Sequence, residues 1–376
     1  MKRNKLYILL LSGVLMISCT KEEGPAPVPD DDVFATVSVG VDGITATKSG
    51  DGEQSQESQP GTEDENAIKN LTVVFFDMAR NEVIGHAFKE IGIGGNKQIR
   101  VALKTGTYKM LVMANTEDKN SFVPADYYNL STILSEQGNT KGFVMSNIAR
   151  DIEITSKENP IEEKVKRVVG RVELSKLDVA WKDEDLKNIE GLEFRLSQVF
   201  LANVRPNSYL FDMTEWKFDT PTEKHPIEIK EGYSCGIDDY FEGGDIAEGN
   251  MKDDNLNKGF SPATVIKVGE ENHTDLARFY AMTNSDTKES VILYIKGDLY
   301  DSENDKPVLT NRYYRIKLAK GVQRNTVYKI SATIEGKGSP EPGDNKDNVD
   351  MSVTIKVNTW DDVTLDTITI NEEIEI

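Results

Sequence analysis

A nucleophile elbow is the first chemistry that the residue types in this chain allow. The segment "GYSCG" at 232–236 has the G-x-S-x-G spacing, which is catalytic only when a strand precedes the serine and a helix follows it. The strand "HPIEIK" can precede it, but the residues that follow, "IDDYFEGGD", break at a glycine pair. The pattern therefore disfavours a hydrolase built on Ser234, with His273 as the partner to test.

Metal chemistry is equally weakly indicated. The three histidines share no ligand spacing and no common helix. They are His86, His225 and His273. One acidic loop, "DLYDSENDK", offers carboxylates of the kind that bind calcium, but it lacks the spacing and central glycine of an EF-hand. These carboxylates belong to Asp298, Asp301, Glu303 and Asp305. We expect no catalytic residue, no cofactor and no metal, and leave calcium in this loop open.

Composition restricts the partners. The net charge of −20 over 376 residues argues against nucleic acid and anionic lipid surfaces, because both attract basic patches. The two cysteines are Cys19 and Cys235. If Cys19 is modified, no internal disulfide is possible and the fold depends on its hydrophobic core.

The N-terminus predicts export and lipidation. A basic start, "MKRNK", precedes the apolar run "LYILLLSGVLMIS", which is too short to span a bilayer and is typical of a signal peptide. The run ends at Ser18-Cys19 in "LMISC", like a bacterial lipoprotein cleavage box. We predict removal of residues 1–18 and acylation of Cys19, with chains such as palmitate. The next residues, "CTKEE", resemble a surface-export tag, and 19–32 form a Pro-rich acidic tether.

The rest of the chain has the pattern of short strands. Segments such as "NLTVVFFD", "TYKMLVMAN" and "TVYKISATI" are β-branched and separated by polar turns, which is typical of all-β sandwiches. The one persuasive helical stretch is around "PADYYNLSTILSEQ". We predict two domains, 33–165 and 166–360.

The first strand stands apart from its successors. In "VFATVSVGV" the alternate residues share one face: Val33, Ala35, Val37, Val39 and Val41. Residues 49–66, "SGDGEQSQESQPGTEDEN", contain no apolar side chain and predict an exposed, disordered loop. A strand followed by such a loop is a removable segment (33–48) with a hinge that a protease can reach.

The last residues carry a second unusual strand, which we predict to lie in segment 361–376. In "TITINEEIEI" the isoleucines alternate with polar residues to the end of the chain. One face carries Ile368, Ile370, Ile374 and Ile376, and the other carries Val363 and Leu365. Burying four isoleucines contributes roughly 6–12 kcal/mol, so this strand needs a partner, in its own sheet or in another molecule. We expect a kink or bulge near Asp366.

Several segments together resemble the type V pilins of the Bacteroidales, the FimA-like and Mfa-like fimbrial subunits. They are "KNLTVVFFD", "GTYKMLVMAN", "KRVVGRVEL", "FLANV", "QRNTVYKISATIEGKG" and "VTIKVNTW". The resemblance implies two transthyretin-like β-sandwich domains in a structural, non-enzymatic protein. It also implies that a trypsin-like protease cuts after the first strand and that another subunit's terminal strand fills the groove. Copies of the chain and related anchor and tip subunits would then be its partners at the cell surface.

The processing site departs from the family pattern. The family is cut after arginine, but this chain has no arginine between Arg3 and Arg80. The basic residue available in the hinge is Lys48, which would make Ser49 the new N-terminus.

Two alternatives remain open at the sequence level. One is a non-cleaved anchor or minor subunit, although a clean C-terminal strand favours a polymerising stalk. The other is a monomeric glycan-binding surface lipoprotein, whose best aromatic cluster is Tyr233, Tyr240 and Phe241.

Overall fold

The described part of the chain is built almost entirely from β-strands. The computed structural model describes residues 33–42, 63–92, 94–121, 124–134, 137–138, 142–202, 204, 207–211, 264–270, 274–283, 291–318, 321–341, 350–360 and 362–370. These residues form eighteen strands and two helices of five and four residues. The predicted all-β fold class is confirmed.

The strands and helices follow one another along the chain from Val33 to Ile370. The strands are β1 (Val33–Val41), β2 (Asn70–Asp77), β3 (Glu82–Glu90), β4 (Gln98–Leu103), β5 (Gly106–Ala114), β6 (Ser131–Ile133), β7 (Met145–Ile154), β8 (Glu158–Arg167), β9 (Val169–Val179), β10 (Leu192–Ala202), β11 (Asn207–Tyr209), β12 (Thr264–Lys267), β13 (Thr274–Met282), β14 (Ile292–Asp301), β15 (Lys306–Lys317), β16 (Thr326–Ile334), β17 (Met351–Thr359) and β18 (Asp362–Ile370). The helices are α1 (Pro124–Tyr128) and α2 (Glu184–Lys187).

Apart from β6, the strands up to Arg167 form one seven-stranded sheet in the order β3-β2-β5-β7-β8-β1-β4. β7 and β8 pair only through Met145↔Arg167 and Ser146↔Lys166, so the sheet folds over between them and encloses a core. Its two outer strands approach each other closely, because a Cβ added at Gly85 of β3 would lie 2.5 Å from Leu103 of β4.

Apart from β11, the strands from Val169 onward form two further sheets, ordered β12-β10-β14-β15 and β13-β9-β16-β17-β18. Side chains of both, such as Phe194 and Ile330, belong to the same buried core. A two-stranded sheet of β6 and β11 connects the two halves of the chain. The strands thus change sheets between Arg167 and Val169; the exact domain bounds remain a prediction.

The predicted helix around residues 124–137 is much shorter than its sequence suggests. Among the described residues of this stretch, Pro124–Tyr128 is α-helical, and Ser131–Ile133 forms β6 instead. Thr132 and Ile133 are β-branched, which favours a strand, and pairing with β11 satisfies the backbone groups of this segment. Tertiary pairing therefore overrides the local helical pattern.

Candidate functional site: the groove around the first strand

The first strand lies inside its sheet. β1 pairs antiparallel with β4 over Val33–Ser38 and parallel with β8 over Phe34–Val41. Each long side of the strand thus satisfies backbone groups of a neighbour, as in peptide recognition by strand addition. Among the described strands, only β1–β8 and β9–β16 pair in parallel; the other pairs are antiparallel.

The predicted apolar face of β1 is buried. Ala35 and Val37 are 0% exposed, and Val39 and Val41 are at most 4% exposed. Val33 is partly buried against the same core. Burial of the three valines from Val37 to Val41 contributes roughly 5–9 kcal/mol, so the strand is a substantial part of the core that holds it.

The side chains that surround β1 also recognise its backbone and outer face. Asn159 of β8 donates from Nδ2 to the carbonyl of Phe34 at 3.1 Å. Arg100 of β4 places its guanidinium carbon 3.5 Å from the centre of the Phe34 ring. Gln98 donates to Ser38 Oγ at 3.0 Å. These contacts are made on top of the ladder hydrogen bonds.

If β1 were absent, β4 and β8 would border an apolar groove. We call this space the β1 groove. The apolar residues of β4 and β8 that line it are Ile99, Val101, Leu103, Ile161 and Val165, of which Ile161 is partly buried and the others are buried. A replacement must therefore be an extended segment with alternating apolar residues.

The C-terminal strand extends the sheet of its own chain. β18 pairs antiparallel with β17, with Ile368 opposite Ile355 and Ile370 opposite Val353. The register shifts between the Val357↔Asp366 and Thr359↔Asp362 pairs, which is where the sequence predicted a bulge. In the single chain, Ile368 and Ile370 thus occupy register positions opposite two buried residues of β17.

Several residues predicted for the processing and exchange sites fall outside the described residues. They are Cys19, Lys48, Ser49, Ile374 and Ile376. Val363 and Leu365 lie in β18, on the part of that strand where the register shifts. Lipidation, cleavage and the donor-strand role therefore stay predictions.

One residue at the end of the predicted exposed loop is buried. Glu65 was expected in a solvated segment, but its side chain is 0% exposed. Both carboxylate oxygens accept from Arg171 Nη1, at 2.8 and 2.7 Å, and the Tyr280 hydroxyl donates to Oε1 at 2.5 Å. A polar sequence does not reveal such burial, because the compensating charge lies more than a hundred residues away.

Arg167 extends this group of buried polar residues. Its Nε donates to the carbonyl of Glu65 at 3.0 Å, and its Nη1 donates to the carbonyl of Asp42 and to Asn325 Oδ1. Its guanidinium lies 4.2 Å from the centre of the Trp360 ring. We call Glu65, Arg167, Arg171, Tyr280, Asn325 and Trp360 the junction cluster.

The charges of the junction cluster are mutually stabilised. Burial alone would lower the pKa of Arg171, but the carboxylates of Glu65 and Glu173 outweigh it and raise that pKa. Burial, and then the Glu65 carboxylate, raise the pKa of Tyr280 far above its ordinary value. The tyrosine hydroxyl is thus a permanent donor to Glu65.

A buried asparagine fixes the chain just after Glu65. Asn115 adopts a left-handed conformation with φ of 60°, which asparagine tolerates better than most residues. Its Oδ1 accepts from the Lys69 N–H at 2.7 Å, and its Nδ2 donates to the carbonyls of Ala67 and Phe143. Residues 65–69, which precede β2, are therefore anchored by side chains from distant parts of the chain.

The other candidates for chemistry find no support in the described residues. The carboxylate of Asp301 accepts from the backbone N–H and side chain of Asn304 at 2.9 and 2.8 Å, so it serves its own turn. Among the described residues there is no group of three or more ligand side chains fit for a metal. His86 lies 3.2 Å from Asp118, and the "GYSCG" segment lies outside the described residues. Within the described ranges, no helix is long and apolar enough to cross a membrane.

The sequence of the N-terminal part of the chain matches a known protein family. Residues 35–176, from β1 into β9, match the model of the family described as major fimbrial subunit protein (FimA). The predicted resemblance to the fimbrial subunits is confirmed. Because the family is one of structural subunits, the prediction that the protein is not an enzyme is confirmed as well. At the level of whole sequences, no curated protein matches.

Solved structures share the fold of this chain. A candidate cell adhesion protein from Parabacteroides distasonis superposes with a TM-score of 0.58 at 16% identity, covering 89% of this chain and 98% of that one. A second from the same species gives 0.53 at 20% identity, covering 88% and 100%. A fimbrilin (FimA) from Porphyromonas gingivalis gives 0.52 at 15% identity, covering 89% and 99%. At these identities the likeness concerns the fold.

Proposed function

We propose that this fimbrial subunit polymerises by strand exchange, as a stalk subunit of an adhesive surface filament. In this scheme the chain is exported as a lipoprotein acylated at Cys19 and is cut after Lys48. β1 then leaves, and the C-terminal strand of another copy occupies the β1 groove. The partners are copies of the chain, related anchor and tip subunits, a surface protease of trypsin-like specificity and, during export, the outer membrane.

The observation that carries the proposal is the place of β1 in the sheet. An interior strand paired on both sides leaves two unpaired edges when it is removed, and such edges are templates for another extended segment. The groove is lined by apolar residues on β4 and β8, and β1 itself is connected to β2 through the segment that contains Lys48. One cut in that segment would free β1 from the rest of the chain.

The tail suits the groove by its pattern and by its place in the single chain. β18 is an edge strand, held by β17 alone in its five-stranded sheet. Once β1 has left, moving β18 into the β1 groove of another subunit therefore breaks one strand pairing and forms two. The gain in pairing opposes the loss of translational freedom on association and favours a polymer over the monomer.

A disulfide that locks the tail to its own sheet tests the proposal. Thr354 of β17 and Thr369 of β18 are opposite each other, a separation that suits a disulfide. In a Cys235→Ser background, Thr354→Cys with Thr369→Cys should stop filament formation when oxidised and allow it again after reduction. Filaments are scored by electron microscopy.

A matched control uses the same position on β17. Ser331 of β16 is the other neighbour of Thr354, so Ser331→Cys with Thr354→Cys ties β16 to β17 and leaves β18 free. This pair should polymerise whether oxidised or reduced. Filaments from the oxidised Thr354–Thr369 pair would show that the tail stays in its own sheet.

N-terminal sequencing of isolated filaments tests the processing step. We expect the mature chain to begin at or near Ser49 and the Lys48→Gln variant to accumulate as unpolymerised precursor. A filament chain that still begins at acylated Cys19 would instead support the alternative of a non-cleaved anchor or minor subunit.

A further inference from the structure

Arg167 contacts three segments that strand exchange would treat differently. Its Nη1 donates to the carbonyl of Asp42, directly after β1, at 3.2 Å. Its Nε donates to the carbonyl of Glu65, in the segment that stays, at 3.0 Å. Its guanidinium lies over the ring of Trp360, two residues before β18 begins. A single buried side chain thus touches the segment that leaves, the segment that stays and the base of the tail.

Trp360 is held in an unusual way. The residue is 3% exposed, yet its indole Nε1 is buried with no hydrogen-bond acceptor among the described residues. A buried N–H without an acceptor destabilises the folded state, because the same N–H would be hydrogen-bonded to water if it were exposed. The guanidinium groups of Arg167 and Arg171 stabilise the buried ring. They lie 4.2 and 5.2 Å from its centre, and cations are attracted to the face of an indole.

We propose that Arg167 is a positioning residue for strand exchange, which holds Trp360 and the base of the tail in place only while β1 is present. This inference rests on the proposed function. It adds that loss of β1 in one subunit loosens the C-terminal strand of that same subunit.

The coupling follows from the contacts of the guanidinium. When β1 leaves, Nη1 keeps Asn325 Oδ1 as an acceptor but loses the carbonyl of Asp42, and the neighbouring groove opens to water. The one N–H that pointed at Asp42 then gains by moving toward this water, because a buried N–H that has lost its acceptor is costly, and the guanidinium moves with it. Trp360 loses the nearer of its two cations, and its orphan indole N–H gains an acceptor by moving outward. Since β18 begins two residues later, this movement weakens the pairing of β18 with β17.

Hydrogen exchange on the monomer measures this coupling directly. A site for a sequence-specific protease is introduced within residues 50–60 of the full precursor, and the protein is kept monomeric at submicromolar concentration. In the wild type, we expect the amides of 362–370 to exchange about tenfold faster after cutting and removal of β1, within the usual range of coupling between sites. Adding a synthetic peptide of residues 33–48 should restore the slow exchange.

Three variants separate coupling from simple destabilisation. Arg167→Lys keeps the charge but loses the forked contacts, so its tail should exchange fast before the cut and change less than about twofold after it. Trp360→Phe keeps a ring without the orphan N–H, so its response should be smaller than in the wild type. Arg195→Lys, on β10, changes a guanidinium that contacts Glu193 and Tyr300. Because β10 pairs with neither β1 nor β18, this variant should keep the full tenfold response.

Each outcome supports or overturns the role of Arg167. Equal exchange of 362–370 before and after removal of β1 in the wild type overturns the proposal, as does a full response in Arg167→Lys. If Arg167→Lys does not fold, Trp360→Phe decides, and an undiminished response there overturns the proposal. Filament formation is scored separately, so filaments combined with uncoupled exchange would refute the role of Arg167 and leave the proposed function standing.

Discussion

The buried carboxylate of Glu65 offers the sharpest prediction about stability. Its ion pair with Arg171 has side chains that are 0% and 1% exposed, and Glu65 and Glu173 together balance the charge of Arg171. Glu65→Gln keeps the size but removes the negative charge and turns an amide NH₂ toward a cation. Removing one partner of a buried ion pair costs about 3–5 kcal/mol, and we expect a loss of that size.

Urea unfolding of the full precursor measures the loss, with tryptophan fluorescence as the signal because Trp360 lies beside Arg171. With a slope of about 1–3 kcal/mol per molar urea, the midpoint should fall by at least about 1 M. The matched control is Glu63→Gln, two residues earlier and exposed, which should change stability by less than about 0.5 kcal/mol. Equal midpoints for the two variants would refute the burial of Glu65 and restore the view of residues 49–66 as one solvated loop.

Further predictions concern the junction, the tail and the groove. Gly170→Ala should lower the free energy of unfolding by about 1–3 kcal/mol, because the added Cβ would lie 2.5 Å from the backbone oxygen of Gln323. Thermal melting checks this prediction, and an unchanged melting temperature contradicts it. Deleting residues 367–376 should give a folded, exported and cleaved monomer that forms no filaments by electron microscopy, whereas loss of soluble protein would show that the tail stabilises its own sheet. Cysteines at Thr369 and at Arg100 on the rim of the groove should crosslink between subunits into a ladder on a non-reducing gel, and a gel without dimers would argue against this placement of the tail.

The strands could be predicted because their signal is local. Alternation of apolar and polar residues reports which face of a strand is covered, whatever covers it. The face of β1 from Ala35 to Val41 is accordingly buried as its pattern indicated. Trp360, the last residue of the segment "VTIKVNTW", is 3% exposed directly after β17.

The pairing of strands that are distant in the chain could not be predicted from the sequence. The helical pattern after Pro124 stops at Tyr128 because Ser131–Ile133 pairs with β11. The parallel placement of β1 beside β8 also leaves no mark on either strand. Backbone hydrogen bonds carry no side-chain signature, so a period-two pattern identifies a strand without identifying its neighbours.

The sequence by itself thus determined that the chain is all β and that its two ends carry alternating apolar strands. Only the tertiary structure decided that Glu65 is buried, since its partners Arg171 and Tyr280 come from distant strands. The tertiary structure also decided that the tail of a single chain lies on β17. The physical reason is the same in both cases. A hydrophobic pattern is a local property of the sequence. The partner of a buried charge or of a sheet edge comes from a distant segment, which only folding brings next to it.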